Sequence, residues 1–70
     1  MNRVFEYRKQ RGLTQVQLAA MSGVSLANIC EIEKYRRTPT IRIAWRLARA
    51  LGVSLDSLFP DDEATGVDVA

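Results

Sequence analysis

Seventy residues, 47% of them hydrophobic and 26% charged, suit one small globular domain, and no apolar run reaches the roughly 18 residues of a membrane span. With no histidine and a single cysteine, Cys30, the chain forms no internal disulfide and offers no chelating metal site; lacking a phosphate-binding loop or a general base as well, it is expected to be neither an enzyme nor a cofactor carrier. The net charge of +2 is uneven, because ten Lys and Arg against four acids put +6 on the chain through Pro60, whereas Asp61, Asp62, Glu63 and Asp68 return −4, so the folded part is basic, as a phosphate-binding surface requires.

The opening stretch Met1 to Arg8 mixes charge into every turn and lacks the apolar stretch of a secretory leader, so a cytoplasmic location is expected. A first helix is predicted from Asn2, as N-cap, to Arg11. Gly12 supplies the left-handed stop, and Val4, Tyr7 and Arg8 lie on the inner face. Thr14 with Gln17 three residues on is a capping box that starts a second helix, Gln15 to Ser22, with a narrow inner face of Leu18, Ala19 and Ser22. Gly23 reverses the chain, Val24 is buried, and Ser25 caps a third helix over Leu26 to Lys34. Ile29 and Ile32 point inward, which leaves Leu26, Ala27, Cys30 and Glu31 on or near the outer face.

Tyr35-Arg36-Arg37-Thr38-Pro39 reads as a basic loop, and Thr40 caps a fourth helix, Ile41 to Leu51, with an apolar stripe of Ile41, Ala44, Leu47, Ala48 and Leu51. Trp45 is read as packing that partly covers the first helix near Phe5. Gly52 ends this helix, Ser54 caps a short fifth one from Leu55 to Phe59, and Pro60 closes it. Residues 1–60 are thus taken as the domain, and residues 61–70 as an acidic tail expected to be disordered.

The run Arg8-Lys9-Gln10-Arg11-Gly12-Leu13-Thr14-Gln15 resembles the Cro and lambda-repressor family of regulators, the XRE family. The likeness continues through Leu18-Ala19, Gly23-Val24-Ser25, Ile29, Ile32-Glu33, Arg37, Pro39 and Leu47-Ala48 to Leu51-Gly52-Val53. It has a physical logic: two helices that cross closely need a small residue at the contact, and Ala19 sits four residues before Gly23, with Ile29 filling the far side. The resemblance implies an all-α, compact five-helix DNA-binding domain whose helix-turn-helix turns at Met21-Ser22-Gly23-Val24.

It further implies that the third helix lies in the major groove of double-stranded DNA with its first residues at base edges. Carried onto this sequence, the base-contact candidates are Ser25, Leu26, Ala27, Asn28 and Glu31. Leu26 and Ala27 suit thymine methyls, and Glu31 suits cytosine N4, although Glu31 is equally readable as paired with Lys34 or Arg36. Phosphate-contact candidates are Gln15, in the first turn of its helix, and Gln17, Lys34, Tyr35, Arg36, Arg37 and Arg42. Arg8 and Glu33 match a family pair that forms an internal salt bridge. Where relatives carry glycine after the third helix this chain has Tyr35, which resists a left-handed backbone, so that helix is expected to end differently, one residue later. Cys30 is read as a small packed residue rather than a redox switch.

The function so implied is that of a sequence-specific transcriptional regulator, a repressor, binding a palindromic operator as a homodimer. Leu55, Leu58 and Phe59 are the dimer-interface candidates, with Leu58 also readable as core. The alternative is an antitoxin or adaptor that uses the same fold to bind a protein partner, for which the tail Asp61-Asp62-Glu63 is the favouring feature.

Overall fold

The computed structural model describes residues 2–60. The expectations placed on the acidic tail, its disorder and its use by a protein partner, lie outside the described residues. Five helices follow in order, α1 Val4–Gln10, α2 Gln15–Ser22, α3 Leu26–Glu33, α4 Ile41–Leu51 and α5 Leu55–Leu58, and the described residues contain no strand.

Four of the five helices begin at a hydroxyl that takes up an otherwise orphaned backbone donor. Thr14 Oγ1 accepts from the Gln17 N–H at 3.0 Å while Gln17 Oε1 accepts from the Thr14 N–H at 2.8 Å, completing the capping box. Ser25, Thr40 and Ser54 cap α3, α4 and α5 by accepting from the N–H groups of Asn28, Ile43 and Ser57. The exception is α1, which begins after Arg3 with no side-chain bond from that residue. Asn2 does the work one position earlier than a cap stands. Its Oδ1 accepts from the Val4 N–H at 3.0 Å, and its Nδ2 donates to the Ile32 carbonyl at 3.0 Å, so the start of α1 is fastened to the end of α3.

Gly23 and Gly52 end α2 and α4 in the left-handed region. The third helix ends the same way without a glycine. Tyr35 adopts a φ of 60°, the Tyr35 N–H donates to the Ile32 carbonyl at 3.0 Å, and the Arg36 N–H donates to the Glu31 carbonyl at 2.9 Å. This is the Schellman pair of bonds, and it corrects the expected later ending, since α3 stops at Glu33 and Lys34 is its C-cap. Two orphan carbonyls gain partners, which outweighs the cost of about 1 to 2 kcal/mol that the left-handed backbone imposes on a residue with a Cβ.

The core is built from Val4, Leu18, Val24, Ile29, Ile32, Ala44, Leu47, Ala48, Leu51, Leu58 and Phe59. Through this core α4 packs against α1, α2 and α5, α2 crosses α3, and Ala19 lies partly buried beside the cluster. Leu58 and Phe59, expected at a dimer interface, are 0% and 4% exposed, which is a correction. Together they complete the core of their own chain and have no apolar surface left for a partner. Ile41 departs from the expected stripe in the opposite sense, being 47% exposed, and Trp45 is 53% exposed with the Arg49 guanidinium above its ring. At the far end of the fold the Arg3 N–H donates to the Leu58 carbonyl at 2.9 Å, so the first and last helices meet.

Candidate nucleic-acid interface

The crossing of α2 and α3 is set by an ion pair that reaches in from α1. Arg8 donates from Nε to Glu33 Oε2 at 2.7 Å and from Nη2 to Glu33 Oε1 at 3.0 Å, a two-pronged contact with both side chains almost wholly buried. Nη1 donates to the Leu13 carbonyl at 2.9 Å, tying the loop before α2 into the same unit. The hydrogen bonds that Arg8 donates to Glu33 raise its pKa above the ordinary value despite the opposing effect of burial, so the guanidinium carries its charge at any pH in which the protein works. The expected internal salt bridge is therefore present.

Gln15 belongs to this unit too. Its Nε2 donates to Glu33 Oε1 at 2.9 Å and its Oε1 accepts from the Cys30 thiol at 3.1 Å. Expected as a phosphate contact, this side chain is turned inward, because Glu33 still has a lone pair to fill after binding Arg8 and Cys30 offers a donor. What remains at the start of α2 for an anion is backbone N–H, above a shallow groove lined by Arg8, Lys9, Gly12, Leu13, Thr14 and Gln15. Gln17 is exposed and spends its Oε1 on the capping box.

Held by these bonds, the first turn of α3 faces outward. Ser25, Leu26 and Ala27 are exposed, Leu26 by 42%, and Asn28, Cys30 and Glu31 are partly buried along the same helix. Among the described residues no ion pair joins Glu31 to Lys34 or Arg36. Lys34, Tyr35, Arg36 and Arg37 are all exposed on the turn and loop that follow, and Arg42 is exposed in the first turn of α4. Arg37 leans back to α3, where Nη1 donates to Asn28 Oδ1 at 3.1 Å. The Tyr35 hydroxyl lies 3.5 Å from the Asn2 carbonyl oxygen, a weak contact that sets the ring over the α1 start.

The Asn2–Ile32, Arg8–Leu13 and Gln15–Cys30 bonds are the parts of this arrangement that sequence reasoning missed. An Asn ahead of the first apolar turn does signal a cap, but its second bond goes to a carbonyl thirty residues away. A peptide carbonyl carries no residue-specific signal. The Gln15–Cys30 bond joins residues from two helices whose facing sides are fixed only by the crossing itself.

No helix among the described residues is long and apolar enough to cross a membrane. A helix-turn-helix family model matches residues 4–58, which spans all five helices. The chain is 44% identical over 59 residues to an uncharacterized HTH-type transcriptional regulator of Methanothermobacter thermautotrophicus, covering 83% of this chain and 86% of that one. It is 42% identical over 57 residues to the uncharacterized HTH-type transcriptional regulator y4dJ of Sinorhizobium fredii, covering 80% and 74%. It is also 33% identical over 60 residues to the immunity repressor protein of Bacillus phage phi105, covering 86% of this chain and 42% of that one. With its capped α2, its glycine turn and its outward-facing α3, the chain belongs to the helix-turn-helix family of DNA-binding transcriptional regulators of the Cro and lambda-repressor (XRE) type.

Proposed function

We propose that this protein is a repressor that binds a palindromic operator as a homodimer, with the first turn of α3 in the major groove and the α3–α4 loop on the flanking phosphates. The observation that carries the reading is an exposed Ser25-Leu26-Ala27 turn at the start of α3, followed along the chain by four exposed cations, Lys34, Arg36, Arg37 and Arg42. The immunity repressor among its relatives supports the sign of regulation. Ser25, Leu26, Ala27, Asn28 and Glu31 read bases; Gln17, Tyr35 and the four cations position the backbone. Gln15 contributes its backbone N–H and orders the crossing through its side chain.

One reading helix discriminates weakly, and a two-fold pair places two of them about 34 Å apart, one turn of the duplex. With Leu58 and Phe59 committed to the core, we assign the seam to the α4 face of Ile41 and Trp45, and keep the partly buried Leu55 as a candidate beside it. The same exposed face, ringed by Arg42, Arg46 and Arg49, is what favours the second reading, an adaptor or antitoxin with a protein partner.

Selection of duplexes from a random pool, followed by binding titrations at several salt concentrations, tests the proposal. The expected result is an inverted repeat bound with a salt slope of about −4 in log affinity per protomer, from roughly four neutralised phosphates. An unrepeated site, or affinity that does not respond to salt, would remove the dimeric operator reading or the phosphate clamps respectively.

A further inference from the structure

We propose that Arg37 sets the base preference of Asn28, turning it from an adenine reader into a reader of guanine. The inference rests on the placement of α3 in the major groove and goes beyond it in naming which base one side chain selects. Arg37 Nη1 lies 3.1 Å from Asn28 Oδ1. A guanidinium has donors and no acceptor, so the Asn28 amide can meet it only with its oxygen, and the orientation of that amide is fixed by chemistry. The backbone N–H of Asn28 is held by Ser25 Oγ at 3.1 Å. Among the described residues the Asn28 Nδ2 has no hydrogen-bond partner, so the part of the residue left for a ligand is two amide hydrogens.

An asparagine free to present both ends reads adenine, with its oxygen accepting from N6 and its nitrogen donating to N7. Here the oxygen is engaged and a cation stands beside it. Adenine would bring the hydrogens of its N6 amino group against the guanidinium, a donor facing donors. Guanine instead presents two acceptors, N7 and O6, to which Asn28 Nδ2 and a remaining Arg37 N–H can both donate. Asn28 stands in the first turn of α3, the part of a reading helix that reaches base edges, and Arg37 enters from the loop beyond the other end of the same helix.

The test compares the full chain with Arg37→Met, which keeps much of the stem and removes the donors, and with Asn28→Ala. Both are measured by anisotropy on sets of four duplexes that vary each base of the selected half-site in turn, the decisive set being the one whose preference Asn28→Ala changes. The wild-type chain is expected to favour guanine over adenine there by about tenfold. Arg37→Met is expected to abolish or reverse that ratio, and Asn28→Ala to flatten the preference at the same position. Unchanged melting temperatures show that each variant is folded. Equal weakening by Arg37→Met on all four duplexes would make Arg37 a phosphate contact alone and overturn the proposal, as would a wild-type preference for adenine. Failure of the wild-type chain to bind any selected duplex would instead overturn the DNA-binding reading itself.

Discussion

Cys30 and Gln15 meet across the α2–α3 crossing, the thiol donating to the amide oxygen at 3.1 Å, and through Gln15 the contact continues to Glu33 and Arg8. The outward-facing α3 is thus braced by a chain of polar contacts that begins on α1. Replacing Cys30 by Ser keeps a donor at this point, whereas Cys30→Val removes it and leaves the amide oxygen facing an apolar group. Urea unfolding is expected to place Cys30→Ser near the wild type and Cys30→Val about 1 kcal/mol below it.

The buried Arg8–Glu33 pair gives a larger effect with a diagnostic pattern. Arg8→Met leaves a carboxylate in the protein with only Gln15 as partner, and is expected to cost about 3 kcal/mol. The double variant Arg8→Met, Glu33→Met removes both charges and is expected to recover much of that loss, so the two single costs do not add. The pH dependence has a definite sign. Because the folded state raises the Arg8 pKa, the stability it contributes is fully present below the ordinary arginine value and is lost only as pH rises beyond it, so unfolding curves at pH 6 and pH 9 should show the same Arg8→Met difference, about 3 kcal/mol at each.

Tyr35 holds a backbone conformation that glycine adopts without penalty. Thermal unfolding of Tyr35→Gly is expected to show a gain of about 1 kcal/mol, set by relief of the left-handed strain less the added freedom of the unfolded chain. Tyr35→Ala keeps the strain and loses the ring over the α1 start, so it is expected to fall below the wild type. If Ala and Gly behave alike, the strain account is wrong.

Trp45 tests the seam. Half of its surface is already in solvent, so Trp45→Ala is expected to cost the isolated fold only about 0.5 to 1 kcal/mol. Sedimentation at tens of micromolar is expected to show the wild type as a dimer and Trp45→Ala shifted toward monomer. A wild type that sediments as a monomer with and without an inverted-repeat duplex would take the homodimer out of the functional reading.

The helix starts and stops were legible because their determinants are local. Thr14 and Gln17, Ser25, Thr40 and Ser54 act within three residues, and Gly23 and Gly52 stand where the chain must turn left-handed. The buried side of α4 was legible except at its first residue, Ile41, which periodicity places on the stripe but which is 47% exposed at the end of the helix. Tyr35 went the other way from its propensity because two hydrogen bonds at the end of α3 depend on it. Leu58 reads as either core or dimer interface, and Phe59 as interface, because a four-residue helix has too short a period to show which side is inward. In the candidate interface, the Arg8–Glu33 pair came from family resemblance, while the inward turn of Gln15 and the Arg37–Asn28 bond depend on which lone pairs other side chains leave open. That is a tertiary property no local pattern encodes.

The bond between the Arg3 N–H and the Leu58 carbonyl also bears on how this unit is carried in longer chains. A fold whose entry and exit sit side by side hangs from its surroundings by a single attachment point, like a bead on a short tether. New sequence can be grafted at either end of residues 2–60 close to the same point, provided Asn2 keeps its two bonds. In the phage repressor the matched stretch occupies 42% of a longer protein.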